Sequence, residues 1–201
     1  MKIYKFTNKK RFNKDFVYVT SPIAQINTEF DEEENCLLNR ANPDIKVGAK
    51  FDYISVVNKN KVSSNTAISA VCSFEDYGAP ALVFSDDIVD VNGVKTYGVH
   101  YEIVGYYEGI NVWYLYPTGD RENPLKYEMI ASWKVPIGCN EKFAISAKIV
   151  GKDIYVYYNN KEYKVSHQSV PNEFYVGFTA CEGIDRFFSF KIDYKGQNYE
   201  K

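Results

Sequence analysis

The sequence predicts an all-β fold, built as a sandwich or a barrel. The 201 residues include 18 Tyr and 13 Phe, and this richness in aromatic side chains favours strands. About a dozen short segments are apolar or alternate apolar and polar residues, and turn-forming residues separate them. No segment sustains the apolar i, i+3, i+4, i+7 stripe of an amphipathic helix, so we expect no helix. The chain length fits a single β-sandwich domain over residues 1–201.

The first half of the chain contains the weaker strand signals. A first strand is expected around Phe12 to Val19, ended by Ser21-Pro22, and a second follows the acidic run 31–34. The clearer strands there are Lys50 to Val57, Thr66 to Phe74 and the buried run Ala81 to Phe84. An Asn92-Gly93 pair then predicts a tight turn.

The strongest signal is a β-hairpin over residues 97–116, YGVHYEIVGYYEGINVWYLY. Side chains alternate between the two faces of a strand, so Tyr101 and Ile103 point one way, with Val99, and His100 and Glu102 point the other. The apolar set predicts the core face. The polar set predicts the face that a partner could contact.

The last third of the chain predicts a meander of short strands. Asn159-Asn160 tolerates the positive φ angles of a tight hairpin turn. The predicted strands are Tyr127 to Val135, Lys142 to Val150, Ile154 to Tyr158, Glu162 to Val165, Phe174 to Cys181 and Phe187 to Tyr194.

Charge and hydropathy argue against several classes of partner. The 24 basic and 26 acidic residues are mixed along the chain, whereas nucleic acids and anionic membranes need a concentrated basic face. No apolar run approaches the roughly 18 residues of a membrane span. The first 16 residues are charged and lack an apolar segment of the secretory type. We therefore expect a cytoplasmic protein that binds neither nucleic acid nor membrane.

Neither the cysteines nor the histidines form a metal-binding or catalytic motif. The four cysteines are far apart in the sequence, at Cys36, Cys72, Cys139 and Cys181. A core of this size needs no disulfides, so free thiols are expected. With two histidines and no closely spaced ligand pairs, a zinc site is not expected.

No cofactor is predicted, and calcium is the one alternative. Asp86, Asp87 and Asp90 offer the oxygen ligands that calcium prefers, although an edge loop also explains them.

Three stretches resemble the concanavalin A-like lectin/glucanase superfamily, and among its members the laminin-G-like bacterial jelly rolls. They are YGVHYEIVGYYEGINVW, FAISAKIVGKDIYVYYNNKEY and FYVGFTACEGIDRFFSFKI, and the similarity extends over about residues 66–194. The resemblance implies a two-sheet antiparallel jelly-roll sandwich. It also implies a concave sheet face that often binds sugar.

The resembling glucanases carry their catalytic pattern on a strand, whereas here its spacing occurs only in the acidic run from Glu29 to Glu34, which has no apolar alternation. Those enzymes place acid and nucleophile on one strand as Glu-x-Asp-x-Glu or Glu-x-Asp-x-x-Glu, because retaining hydrolysis needs two carboxyl groups about 5–5.5 Å apart. Here Glu102 and Glu108 are six positions apart, with a turn nearby. The sequence therefore favours a non-catalytic carbohydrate-binding module. A glycoside-acting enzyme with a non-standard carboxylate arrangement and a protein-interaction module are the alternatives.

The candidate ligand-binding residues are His100, Glu102, Trp113, Glu182 and Arg186. The two polar residues of the first strand could bond to sugar hydroxyls, or they could belong to a solvated sheet face. Trp113 could stack on a sugar, or it could pack in the core. The resemblance places the loop of Glu182 and Arg186 beside the groove, whereas local ion pairing would make both residues loop scaffolding.

Two further residues with ring side chains are not predicted to bind a ligand. Trp133 is expected in the core, and His167 is expected to be exposed.

Overall fold

The computed structural model describes residues 1–7, 9–20, 24–26, 29–40, 51–75, 77–91, 93–120, 123–180 and 183–194. Its elements in chain order are β1 (Lys2–Lys5), α1 (Lys9–Asp15), β2 (Phe16–Tyr18), β3 (Ala24–Ile26), β4 (Glu29–Asp31), β5 (Cys36–Arg40), β6 (Phe51–Asn58), β7 (Val62–Ser63), β8 (Ala67–Glu75), β9 (Ala81–Ser85), β10 (Ile88–Val91), β11 (Val94–Tyr97), β12 (His100–Tyr106), β13 (Gly109–Pro117), β14 (Leu125–Trp133), β15 (Phe143–Val150), β16 (Asp153–Tyr158), β17 (Lys161–Ser166), β18 (Glu173–Ala180) and β19 (Ile184–Asp193). Within these residues no helix is long and apolar enough to cross a membrane.

The strands form two large sheets and one small ribbon. Over the described residues, sheet A has eight strands in the order β17-β16-β15-β8-β19-β5-β4, with β1 also paired to β19. Sheet B has nine, in the order β14-β13-β12-β9-β18-β6-β2, with β3 paired to β6 and β7 to β18. Apart from the parallel β3–β6 pair, the described pairings are antiparallel. The predicted two-sheet antiparallel jelly-roll sandwich is confirmed.

The core lies between the inner faces of the two sheets, as the alternation predicts. In β12, Tyr101 and Ile103 are fully buried in it, and in β15 the same holds for Ile145 and Ala147. Removing these side chains from water is the main favourable term in folding. The residues between these core positions therefore lie on the outer face of each sheet.

Phe178 on β18 lies at the centre of this core. Its ring centroid is 4.4 Å from that of Phe187 and 5.1 Å from that of Phe190, both on sheet A. It also contacts the N-terminal rings of Phe6, at 5.7 Å, and Phe12, at 6.2 Å. One side chain of sheet B thus joins sheet A and the N-terminal segment.

The expectation of no helix is wrong at α1. This helix of seven residues contains Phe12, which is 1% exposed and stacks on Phe16 at 4.5 Å. Two helical turns with one apolar residue are too short to produce a periodic stripe, so the sequence pattern could not reveal them. The strand predicted to include Phe12 begins at Phe16 instead.

The β10–β11 ribbon covers part of the outer face of sheet B. Val57 and Val83 alternate with core residues of their strands, so they point outward, yet both are fully buried. They form a second apolar cluster with Tyr97 of β11 and Val19, and Ile88 of β10 packs against it. Gly93 lies between the two strands of the ribbon with φ 82°, while Asn92 of the predicted Asn-Gly turn is outside the described residues.

Asp86 lies where β9 leads into the ribbon. Its Oδ1 atom is buried and has no hydrogen-bond partner among the described residues. Burial raises the pKa of this carboxyl, and backbone hydrogen bonds from Asp87 and Val99 oppose the shift. The charged form is therefore less favourable in the folded protein than in water.

We expect Phe178→Ala to lower the free energy of unfolding by about 3–5 kcal/mol, because the truncation leaves a cavity between two sheets. Urea titration followed by tryptophan fluorescence measures this. Tyr77→Ala is the control, since that ring is 78% exposed and its loss should change stability by about 0.5 kcal/mol or less. Equal effects of the two changes would contradict the central position of Phe178.

We expect Asp86→Asn to stabilise the protein at pH 7. A carboxyl whose folded-state pKa is raised favours folding when protonated, so wild-type stability falls as the pH rises from about 3.8, the unfolded value, through the folded-state pKa. The gain from the substitution should disappear at pH 3, where wild-type Asp86 is protonated. Urea titrations of both proteins at pH 3 and pH 7 measure the difference, and an equal effect at both pH values would contradict the prediction.

Candidate functional site

Glu102 and Trp113 form the centre of the candidate site on the outer face of sheet B. They are directly opposite each other in the register of β12 and β13. Directly opposed residues of antiparallel strands have Cβ atoms about 4.5–5.5 Å apart, so the two side chains are neighbours. Both are half-buried. The structure therefore brings together two of the residues selected from sequence.

His100 lies next to Glu102, below the accessible surface. Its Nδ1 atom lies 2.9 Å from the carbonyl oxygen of Gly98, which can only accept, so this nitrogen carries the proton. Its Nε2 atom lies 3.6 Å from Oε1 of Glu102, and its ring lies 4.7 Å from that of Tyr97. With 3% of His100 exposed, a ligand would meet Glu102 and not the imidazole.

Tyr97 packs against His100 and is anchored to β6 by a hydrogen bond. Its hydroxyl accepts a hydrogen bond of 2.6 Å from Oγ of Ser55 on β6. Burial raises the pKa of the Tyr97 phenol, as does the nearby charge of Glu102, while the Ser55 hydrogen bond lowers it. The phenol consequently stays neutral at physiological pH.

Accessibility rises from β12 toward the edge strand β14. Tyr127 and Met129 on β14 are 70% and 49% exposed, and they lie opposite Leu115 and Trp113 in the register. The Trp113 and Tyr127 rings meet edge to face at 5.9 Å. On the other side of Glu102, Val83 of β9 is fully buried. The exposed side chains Tyr127 and Met129 thus lie on the side of Trp113 that is away from Val83.

Asn111 adds a polar atom to the same face. It is two residues before Trp113 on β13 and half-buried, and its Oδ1 atom is buried without a hydrogen-bond partner among the described residues. A buried acceptor without a donor costs about 1–3 kcal/mol.

Glu102 has no second carboxylate at the adjacent positions of its face. The outer-face residues opposite or diagonal to it are Ala81, Val83, Ser85, Asn111, Trp113 and Leu115. The histidine two residues earlier is its ionisable neighbour on β12. The paired carboxyl groups of retaining hydrolysis are therefore not found around Glu102.

Arg186 is not brought together with the other candidates. It lies on β19 of sheet A, next to core residue Phe187, and points to the outer face of that sheet. Its Nη1 atom is 2.7 Å from Oε1 of Glu75, and its Nε atom is 3.5 Å from Oε2 of Glu34. The expected grouping of Arg186 with His100 and Glu102 is wrong, because the two strands belong to different sheets.

The remaining predictions have mixed outcomes. Glu182 lies outside the described residues. Trp133 packs against the core, as expected, with its ring 5.2 Å from that of Tyr163. The expectation that His167 is exposed is wrong. It is half-buried, and its Nδ1 atom is 2.7 Å from the hydroxyl of the core residue Tyr101.

Two of the three possible calcium ligands, Asp87 and Asp90, accept local backbone hydrogen bonds. Oδ1 of Asp87 accepts from the backbone amide of Ile88, and Oδ1 of Asp90 accepts from that of Gly93. In the described part of the chain, no three His, Cys, Asp or Glu side chains cluster in a way that could hold a metal ion.

The thiols of Cys36, Cys72 and Cys139 are free, as predicted, while Cys181 is outside the described residues. Burial raises the pKa of the Cys36 thiol to about 11.

Sequence reasoning missed Tyr127, Met129 and Asn111 as members of this face. The strand of Tyr127 and Met129 was predicted, but its register with β13 includes a bulge between Val112 and Trp113. A bulge reverses the inward and outward alternation of the residues that follow it. Alternation within one strand therefore could not place these two side chains beside Trp113.

Three solved structures show what this architecture is similar to. The carbohydrate-binding module CBM66 from Bacillus subtilis superposes with a TM-score of 0.60 at 15% identity, covering 86% of this chain and 91% of that one. A glycoside hydrolase family 16 endo-glucanase from Bacteroides ovatus gives 0.63 at 12%, covering 96% and 99%. β-Agarase A from Zobellia galactanivorans gives 0.64 at 9%, covering 92% and 84%.

Sequence comparison adds nothing to this: no protein-family model matches the chain, and no curated protein does. At identities this low, the structural similarity shows the fold and leaves the activity open. The resemblance noted in the sequence is confirmed at that level. The chain has the concanavalin A-like jelly-roll sandwich fold.

Proposed function

We propose that this protein is a non-catalytic carbohydrate-binding module whose ligand lies on the open outer face of sheet B. The observation that carries the proposal is the pairing of Glu102 with Trp113 in the accessible part of that face. Binding sites for small molecules combine apolar and aromatic walls with a few polar groups, and sugars present both kinds of surface. The structural neighbours that bind or cleave carbohydrates add support by analogy.

Each residue of the face has a distinct role in the proposal. Trp113 offers a ring for stacking, and the exposed Tyr127 and Met129 extend the apolar surface toward the sheet edge. The carboxylate of Glu102 accepts hydrogen bonds from sugar hydroxyls, which are stronger than bonds between neutral groups. His100 lies beside Glu102 but is buried, so it does not contact the ligand.

Binding without hydrolysis is favoured by what surrounds Glu102. General acid and nucleophile must flank one glycosidic bond, and a retaining enzyme holds the two carboxyl groups about 5–5.5 Å apart. Valine, alanine, serine, asparagine, tryptophan and leucine occupy the adjacent outer-face positions. None of these supplies an acid or a nucleophilic carboxylate.

We expect Trp113→Ala to weaken carbohydrate binding about 30-fold, the size of a central aromatic contact worth about 2 kcal/mol. Glu102→Gln should weaken it about tenfold, because a charged acceptor becomes a neutral one. A glycan array that includes mixed-linkage β-glucan and agarose oligosaccharides identifies the ligand, and calorimetry measures the affinities. Tyr155→Ala is the matched control, since that half-buried tyrosine lies on the outer face of sheet A. If Trp113→Ala and Tyr155→Ala bind equally well, this face is not the site.

Incubation of the same glycans with wild-type protein separates binding from catalysis. We expect no release of reducing ends, because Glu102 lacks a carboxylate partner at the adjacent positions. Release that is abolished by Glu102→Gln would establish a glycosidase with an unusual partner group. Release that survives this substitution would point to a contaminant or to another site.

A further inference from the structure

We infer that the carbohydrate site is closed on one side and holds the terminal unit of a glycan chain, with the rest of the chain leaving over β14. This inference rests on the proposed function and specifies its ligand. It follows from the way in which the outer face of sheet B is divided between a covered half and an open half.

The β10–β11 ribbon forms the wall beside Glu102. Following the register from Glu102 across the sheet, the next outer-face positions are Val83, Gly177 and Val57. All three are buried, and both valines belong to the apolar cluster that includes Tyr97 of β11. A sugar chain that crossed the strands through Glu102 would meet this cluster at the next strand.

The wall is fastened to the sheet by polar contacts as well. The backbone amide of Thr20 donates to the carbonyl oxygen of Lys95 on β11, at 2.8 Å. The Tyr97 hydroxyl accepts from Ser55 in the interior of the covered half. Opening this path would expose apolar side chains and break a buried hydrogen bond, so the ribbon acts as a fixed boundary.

A second boundary lies one outer-face position along the strands. His100 and Leu115 are opposite each other there, and they are 3% and 8% exposed. Glu102 thus has buried positions toward β9 and toward His100, and half-buried positions at Trp113 and at Val104. The exposed side chains Tyr127 and Met129 lie on the other side, two strand spacings or about 10 Å from β12.

An arrangement of this kind selects for chain ends. The sugar beside Glu102 has room for a continuing chain toward β14, where the surface is open, and none toward β9. In a chain that crosses the strands, an internal sugar at Glu102 needs an exit on both sides, whereas a terminal sugar needs one. The geometry therefore favours a terminal unit at Glu102 and the penultimate unit on Trp113.

The number of binding sites per gram of polymer tests the inference. Mixed-linkage β-glucan and agarose are each used intact and after partial cleavage by an endo-acting hydrolase, which multiplies chain ends at constant mass. Calorimetry with the wild-type protein gives the number of sites. We expect this number to rise in proportion to the chain ends, measured by reducing-end assay, while the affinity per end stays constant.

The outcomes separate this inference from the proposed function. If the number of binding sites instead follows the total mass of polymer, and the affinity per chain grows with chain length, the protein binds internal sugars. That result would overturn the inference, while the proposed carbohydrate-binding function would stand. Binding that tracks chain ends but persists in Trp113→Ala would place end recognition elsewhere and overturn it too. Failure of the folded protein to bind any glycan on the array or either polymer would remove both proposals.

Discussion

The burial of aromatic rings around Phe178 is the constraint on which the rest of the molecule depends. Its ring contacts Phe187 and Phe190 of sheet A and Phe12 of the N-terminal segment, so both sheets must turn their apolar faces toward it. Close packing leaves little freedom once these rings are in place. The register of every neighbouring strand follows, because a slip of one residue would exchange inner and outer side chains.

That constraint also determines what is presented to solvent. Tyr101 and Ile103 face the core, so Glu102 must face outward between them. Strands β6 and β9 place Val57 and Val83 on the same outer face, and burying these apolar side chains stabilises the fold. The β10–β11 ribbon covers and buries both valines. The candidate site is the part of the face that the ribbon leaves uncovered, so its shape is a consequence of packing beside it.

Most of the sandwich could be predicted from sequence because alternation within a strand is a local signal. The faces of β12, the hairpin that it forms with β13 and the turn at Asn159-Asn160 all follow from neighbouring residues. Predicting the site required knowledge of contacts between residues far apart in the sequence. Arg186 belongs to the opposite sheet, and the bulge opposite Trp113 alters the faces of β14. The burial of His100 under the ribbon required a tertiary contact that no strand pattern contains.

Under the proposed function, the position of Glu102 explains how a fold shared with glucanases can serve recognition without hydrolysis. Hydrolysis needs a second carboxylate on the same face and access for the sugar units on both sides of the bond that breaks. Here the adjacent positions are apolar or neutral, and one of them, Val83, lies beneath a fixed ribbon. A lone carboxylate next to a tryptophan can still orient one sugar by hydrogen bonding and stacking. Under the two proposals, the ribbon that blocks a polymer on the β9 side of Glu102 leaves a site that holds the end of one.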